Sequence, residues 1–149
     1  MPTPIRRNGL PLKGIYALEI CLSRDVCLSV GALGKIDFRR GVYMYIGSGQ
    51  RNLEQRVRRH CREDKKVFWH IDYLLNDRSA RTMKVRIKRA GKPEECLVAR
   101  ELCRQGTRVV SFGCSDCRCG SHLFWFPEDF DLMGLKVLAS ANGWTLFEA

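Results

Sequence analysis

Four side chains with the chemistry of metal ligands fall within nine residues: Cys114-x2-Cys117-x-Cys119-x2-His122. Thiolate and imidazole are the donors that tetrahedral zinc takes, and Cys₃His is one of its structural ligand sets. Structural zinc sites usually draw two ligand pairs from separate segments, so two other readings stand beside zinc. In one, some of these thiols pack in the core while Ser115, Asp116 and Ser121 hydrogen-bond a turn. In the other, His70, Asp72, Asp116 and His122 form a polar cluster lining a cleft. Cys21, Cys27, Cys61, Cys96 and Cys103 lie on apolar stripes or strands and read as buried thiols. A second concentration is basic. Between positions 51 and 66, Arg51, Arg56, Arg58, Arg59, Arg62, Lys65 and Lys66 stand against three acidic residues. Seven more basic residues lie between Arg78 and Lys92. Such side chains neutralise phosphates without reading base sequence, and for any one of them a solvated charged face is the competing reading. Phe68 and Trp69 beside Lys65 and Lys66 offer flat faces for stacking on bases, or a core anchor.

The whole chain narrows these options. It has 149 residues, 26 Lys+Arg against 16 Asp+Glu, a formal charge of +10 and eight cysteines. That length is enough for one domain with its own core. Its apolar and charged fractions, 45% and 28%, exclude disordered and collagen-like chains. No apolar run reaches the length of a membrane span. The first residues carry Pro2, Pro4, Arg6 and Arg7 but no apolar signal core, so a cytoplasmic protein with reduced thiols is expected, a monomer by default. The charge points to a polyanionic partner.

The elements that must position these residues follow from periodicity. Residues 1–13 read as a flexible basic arm, and 14–149 as one domain. Gly14–Cys21, Val26–Val30, Ile36–Phe38 and Tyr43–Ile46 read as strands of an antiparallel meander. Asn52 is placed to cap a helix in which Leu53, Val57 and Cys61 form the buried stripe, while Arg56 and His60 share another face. Phe68–Leu75 is a short helical or extended piece. Thr82–Ala90 alternates apolar Met83, Val85 and Ile87 with basic residues, as a half-exposed strand does. Gly91-Lys92-Pro93 opens a helix that stops at Gly106. Strands are expected at Val109–Phe112 and His122–Phe126. A last helix capped by Asp129 turns Leu132, Leu135, Leu138 and Ala139 inward, and Trp144–Phe147 forms a tail strand. The fold class is α+β, a small, mainly antiparallel sheet flanked by helices.

Two tripeptides frame the meander, Gly14-Ile15-Tyr16 and Tyr45-Ile46-Gly47, and Asn52-Leu53, Arg56 and His60 follow in order. In these segments the chain resembles the GIY-YIG nuclease superfamily. Trp69-His70-Ile71-Asp72-Tyr73-Leu74-Leu75 and the run from Gly113 to Leu123 resemble one branch of it in particular. That branch has been catalogued as a domain of unknown function and is sometimes fused to DNA-repair glycosylases. The resemblance implies a GIY-YIG-like sheet and metal-dependent hydrolysis of phosphodiesters in nucleic acid, DNA ahead of RNA. It implies that Tyr16 activates water, that Tyr45 orients water or phosphate, that Arg56 clamps phosphate and lowers the phenol pKa, and that His60 relays a proton. One Mg²⁺ or Mn²⁺ ion is implied on a helix glutamate, here Glu95, with Glu94 and Glu101 as rivals. The alternative is a catalytically silent nucleic-acid-binding or zinc-stabilised adaptor on the same fold. The 28 residues between Tyr16 and Tyr45 exceed the short hairpin of the best-known enzymes and imply an enlarged β-hairpin insertion. How that excursion folds decides whether the tyrosines meet.

Overall fold

The computed structural model describes residues 13–62, 66–109, 112 and 119–147. The chain opens with β1 (Gly14–Leu22), followed by β2 (Val26–Ser29) and β3 (Lys35–Phe38), and returns as β4 (Gly41–Gly49). Helices α1 (Leu53–Cys61) and α2 (His70–Leu75) precede β5 (Ala80–Lys88), and α3 (Lys92–Cys103) precedes β6 (Thr107–Arg108). Strands β7 (Leu123–Phe126) and β8 (Thr145–Phe147) complete the set. Six strands form one sheet in the order β6-β7-β4-β1-β5-β8, with every pairing antiparallel. With three α-helices against it, this is an α+β fold. The insertion is the hairpin β2–β3, a separate two-stranded sheet. No helix among the described residues is long and apolar enough to cross a membrane.

The central strands β1 and β4 are apolar on both faces because the sheet is covered on both. Tyr16, Leu18, Ile20 and Leu22 alternate with Ile15 and Ala17, and Tyr43 and Tyr45 alternate with Met44 and Ile46. On one face the first set meets Leu53 and Val57 of α1 and Ile71 and Leu74 of α2, with the hairpin folded against them. On the other, Ile15, Ala17, Met44 and Ile46 meet Val98, Ala99 and Leu102 of α3 together with Leu135, Leu138 and Trp144. Each such aliphatic side chain removed from water contributes about 1.5–3 kcal/mol.

Several local expectations change. Cys61 is only half-buried, and His60 takes the third buried position of α1. Asn52 occupies the cap position but its side chain makes no capping bond. Met83 is 52% exposed, because the β1–β5 register shifts between Glu19 and Ile20, whose partners are Lys84 and Thr82. A bulge of this kind turns the skipped residue out of the ladder. Strand β6 occupies the two residues just before Val109, residues 110 and 111 of the expected strand lie outside the described residues, and the Phe112 amide donates to the Val109 carbonyl. The last helix is replaced by three 3₁₀ turns, Leu132–Gly134, Lys136–Leu138 and Ser140–Asn142, the first capped by Asp131 rather than Asp129. Leu132, Leu135 and Leu138 recur every three residues, which is the 3₁₀ period and also a spacing that one face of an α-helix presents. Cys27 and Cys103 are exposed rather than buried, since each occupies an outward position of its element.

Candidate functional site

A cleft of about 360 Å³ opens where β1 begins and β4 ends. Tyr16 lies opposite Gly47 in the β1–β4 ladder, and Tyr45 lies opposite Leu18. The two tyrosines are therefore diagonal neighbours on one face, with ring centroids 6.4 Å apart. The long excursion leaves the β1–β4 register intact because it pairs with itself in its own sheet. Gly47 is required by close approach: a Cβ there would overlap the Tyr16 hydroxyl.

Helix α1 crosses this face. His60 is 2% exposed, and its Nε2 lies 2.8 Å from the Tyr16 hydroxyl. Its ring packs against Tyr45 and Trp69 at centroid distances of 6.2 and 5.4 Å. One turn earlier, Arg56 lines the cleft. Its Nη1 donates to the Ser48 carbonyl at 2.8 Å, and its guanidinium carbon lies 5.0 Å from the Trp69 ring centroid. Arg56 Nε is buried without a hydrogen-bond partner among the described residues.

Helix α3 comes from the other side of the sheet and delivers Glu95 to the same cleft. This carboxylate is 5% exposed. Its Oε2 lies 2.7 Å from His122 Nδ1, while Oε1 is buried with no partner among the described residues. Glu94 instead pairs with Lys88, and Glu101 pairs with Arg104 at 3.0 Å. Of the three glutamates, Glu95 alone lines the cleft.

Burial holds the Tyr16 hydroxyl well above the ordinary tyrosine pKa. Tyr45, Glu95 and Asp72 push the same way, and the Arg56 charge pulls against them without prevailing. Arg56 thus acts in the expected direction, but desolvation is the larger effect and Tyr16 is a neutral phenol at neutral pH.

Asp72 is fully buried and serves the architecture. It accepts from the Phe68 and Trp69 amides, each at 2.9 Å, and pairs with Arg59 at 2.9 Å. Arg59 also donates to the Lys66 carbonyl at 2.7 Å. Asp72 is therefore not a wall of the cleft with His70 but the anchor of the segment that carries Phe68 and Trp69. Its position three residues into α2 is a capping signal readable in the sequence. Phe68 itself is 76% exposed at the cleft, beside His70 and Lys92. Lys92, which the sequence marked only as one of the seven basic residues from Arg78 onward, reaches the site because it opens α3. Arg51, Arg62 and Lys66 are exposed, and Arg58 pairs with Glu54 at 2.9 Å.

Of the cysteine and histidine run, Cys114, Asp116 and Cys117 lie outside the described residues, as does Lys65. Cys119 and His122 are joined by Cys96 of α3, and the ligand atoms of the three lie within 4.8 Å of one another. Sequence spacing could not find Cys96, which meets the others only across the fold.

The family model described as domain of unknown function DUF123 matches residues 15–141. The chain belongs to the DUF123 family. No curated protein and no solved structure matches it. The cleft of this DUF123 domain, from Tyr16 to Glu95, and the Cys96–Cys119–His122 group both lie inside the matched span.

Proposed function

We propose that this chain is a nucleic-acid-binding phosphodiester hydrolase of the GIY-YIG type that requires one divalent cation, with DNA ahead of RNA as substrate. The observation that carries the reading is convergence. Tyr16 from β1, Tyr45 from β4, Arg56 from α1 and Glu95 from α3 line one cleft, with His60 directly behind Tyr16.

Glu95 suits a hard cation, because a buried carboxylate oxygen without a partner is an orphan that Mg²⁺ or Mn²⁺ would satisfy. Such an ion supplies charge neutralisation at the phosphoryl oxygens. The residues of the chain do the rest. Arg56 offers its guanidinium to a phosphate, and Phe68 offers an exposed ring to a neighbouring base. The Tyr16 hydroxyl gives its proton to His60 Nε2 as it takes one from the attacking water. A neutral phenol can act in that paired transfer where a free tyrosinate is not formed. The water oxygen forms the new P–O bond, the ester P–O bond breaks, and the leaving oxygen is protonated from solvent in the open cleft.

The test uses purified chain on nicked, branched and single-stranded DNA and on RNA, with Mg²⁺, Mn²⁺ or EDTA. Metal-dependent cleavage is expected, with Tyr16→Phe, Arg56→Ala and Glu95→Gln each lowering the rate by about 10²–10⁴-fold. One observation favours a binding-only domain, namely the deep burial and raised pKa of Tyr16. Salt-sensitive binding with substrate intact under every metal condition would decide for that reading, including a role as an adaptor in DNA repair.

A further inference from the structure

Cys96 faces the segment that leads into β7, and that segment carries Cys119 and His122. We propose that these three side chains form a binding site for a soft or borderline divalent cation, zinc being the biological ion they suit, and that this ion fastens the 119–122 segment to α3 behind the cleft.

The donor chemistry points to that class. Two thiolates and an imidazole select zinc over magnesium or calcium, which take oxygen. The geometry is nearly that of a filled site. Zn–S and Zn–N bonds of about 2.3 and 2.0 Å place tetrahedral sulfur ligands about 3.8 Å apart, and the three ligand atoms already lie within 4.8 Å of one another. An approach of an ångström or less completes the set, with a fourth donor such as water closing the tetrahedron. His122 is 1% exposed and its backbone is held at both ends: its amide donates to the Phe112 carbonyl at 2.7 Å, and its carbonyl accepts from the Ile46 amide at 2.9 Å. The thiols are half-buried, unlike Cys27 and Cys103, which lie exposed elsewhere.

His122 also has the partner that a metal-bound histidine characteristically has. Its Nδ1 faces Glu95 Oε2 at 2.7 Å, so Nε2 is the nitrogen that would ligate. A carboxylate on the far nitrogen of a ligating imidazole fixes the ring's tautomer and orientation. The same contact ties His122 to Glu95, which lines the cleft, so the site would position Glu95 as well as the segment. This proposal does not depend on hydrolase activity, and neither does its test.

Full-length chain purified under reducing conditions is analysed for metal, stripped with a chelator, and titrated with Zn²⁺ and with Co²⁺. One equivalent of zinc per chain is expected, together with a cobalt adduct showing a thiolate-to-metal charge-transfer band and tetrahedral d–d bands. X-ray absorption of the zinc form is expected to show sulfur and nitrogen in its first shell. Cys96→Ser, Cys119→Ser and His122→Asn should each weaken zinc binding at least tenfold, while Cys103→Ser leaves it unchanged. The cobalt spectrum of the unsubstituted chain keeps the test valid even if a variant does not fold. A cobalt adduct without the thiolate band overturns the proposal. So does zinc held at full affinity by Cys96→Ser, or a Cys96–Cys119 disulfide mapped in the reduced preparation.

Discussion

At the scale of single residues, the tension in this protein sits on one hydroxyl. Tyr16 is close to a cation that favours its ionised form, yet it is buried beside a second phenol and two carboxylates that oppose ionisation, and burial is the larger influence. The consequence for stability has a definite sign. A phenol whose folded pKa lies above its unfolded value of about 10 favours the folded state fully below pH 10. That contribution is lost as pH rises through the folded value. Urea unfolding of the native chain and of Tyr16→Phe across alkaline pH should therefore show the native chain losing stability relative to the variant above about pH 10. Tyr43, also raised by burial, is present in both proteins and cancels. Parallel curves would remove burial as the dominant influence on Tyr16. Arg59 shows the opposite outcome for a charged residue: although it belongs to the basic run, its guanidinium is committed to Asp72 and the Lys66 carbonyl.

At the scale of elements, the cleft depends on close strand contact and on one anchored segment. Strands β1 and β4 bring Tyr16 over Gly47, where there is no room for a Cβ. Gly47→Ala is expected to cost about 1–3 kcal/mol by overpacking and to displace the Tyr16 ring. Gly134→Ala, at a position with open space around it, is the control, and thermal unfolding of both checks the difference. The Phe68–Trp69 wall depends on α2 through Asp72. Asp72→Asn removes the charge opposite a largely buried Arg59 and is expected to destabilise by about 3 kcal/mol. Hydrogen exchange at the Phe68 and Trp69 amides should rise in that variant, and unchanged protection would mean that the segment is held by something else. The C-terminal segment makes a related point: its leucines recur at a spacing that an α-helix and a 3₁₀ turn both present, and the packing of Leu135 and Leu138 beside Trp144 selected the tighter form.

At the scale of the whole molecule, a six-stranded sheet covered on both faces lets elements from opposite sides meet at one end, so that α1 and α3 reach the same cleft. The chain carries a formal charge of +10, and Arg56 and Lys92 line that opening. If nucleic acid binds there, affinity should fall linearly with the logarithm of salt concentration. Arg51→Ala and Lys66→Ala should each flatten that slope by about one unit, as measured by fluorescence anisotropy across a salt series, whereas Arg59→Ala should act through stability. Much of this was legible in the chain. Strand alternation, the tyrosine tripeptides, the Arg56–His60 spacing and the proline that opens α3 are local patterns, and local patterns are dictated by backbone geometry of short range. They determined an α+β architecture and where along it Tyr16, Tyr45 and Arg56 stand, whereas the choice of Glu95 ahead of Glu94 and Glu101 rested on what the resemblance implies. What only the tertiary structure decided was long-range: that the tyrosines meet despite 28 intervening residues, that Asp72 and Arg59 are architectural, that burial overrides Arg56 at the Tyr16 hydroxyl, and that Cys96 joins Cys119 and His122. Each depends on which groups share a desolvated volume. That is set by packing between segments distant in sequence, which no spacing along the chain encodes.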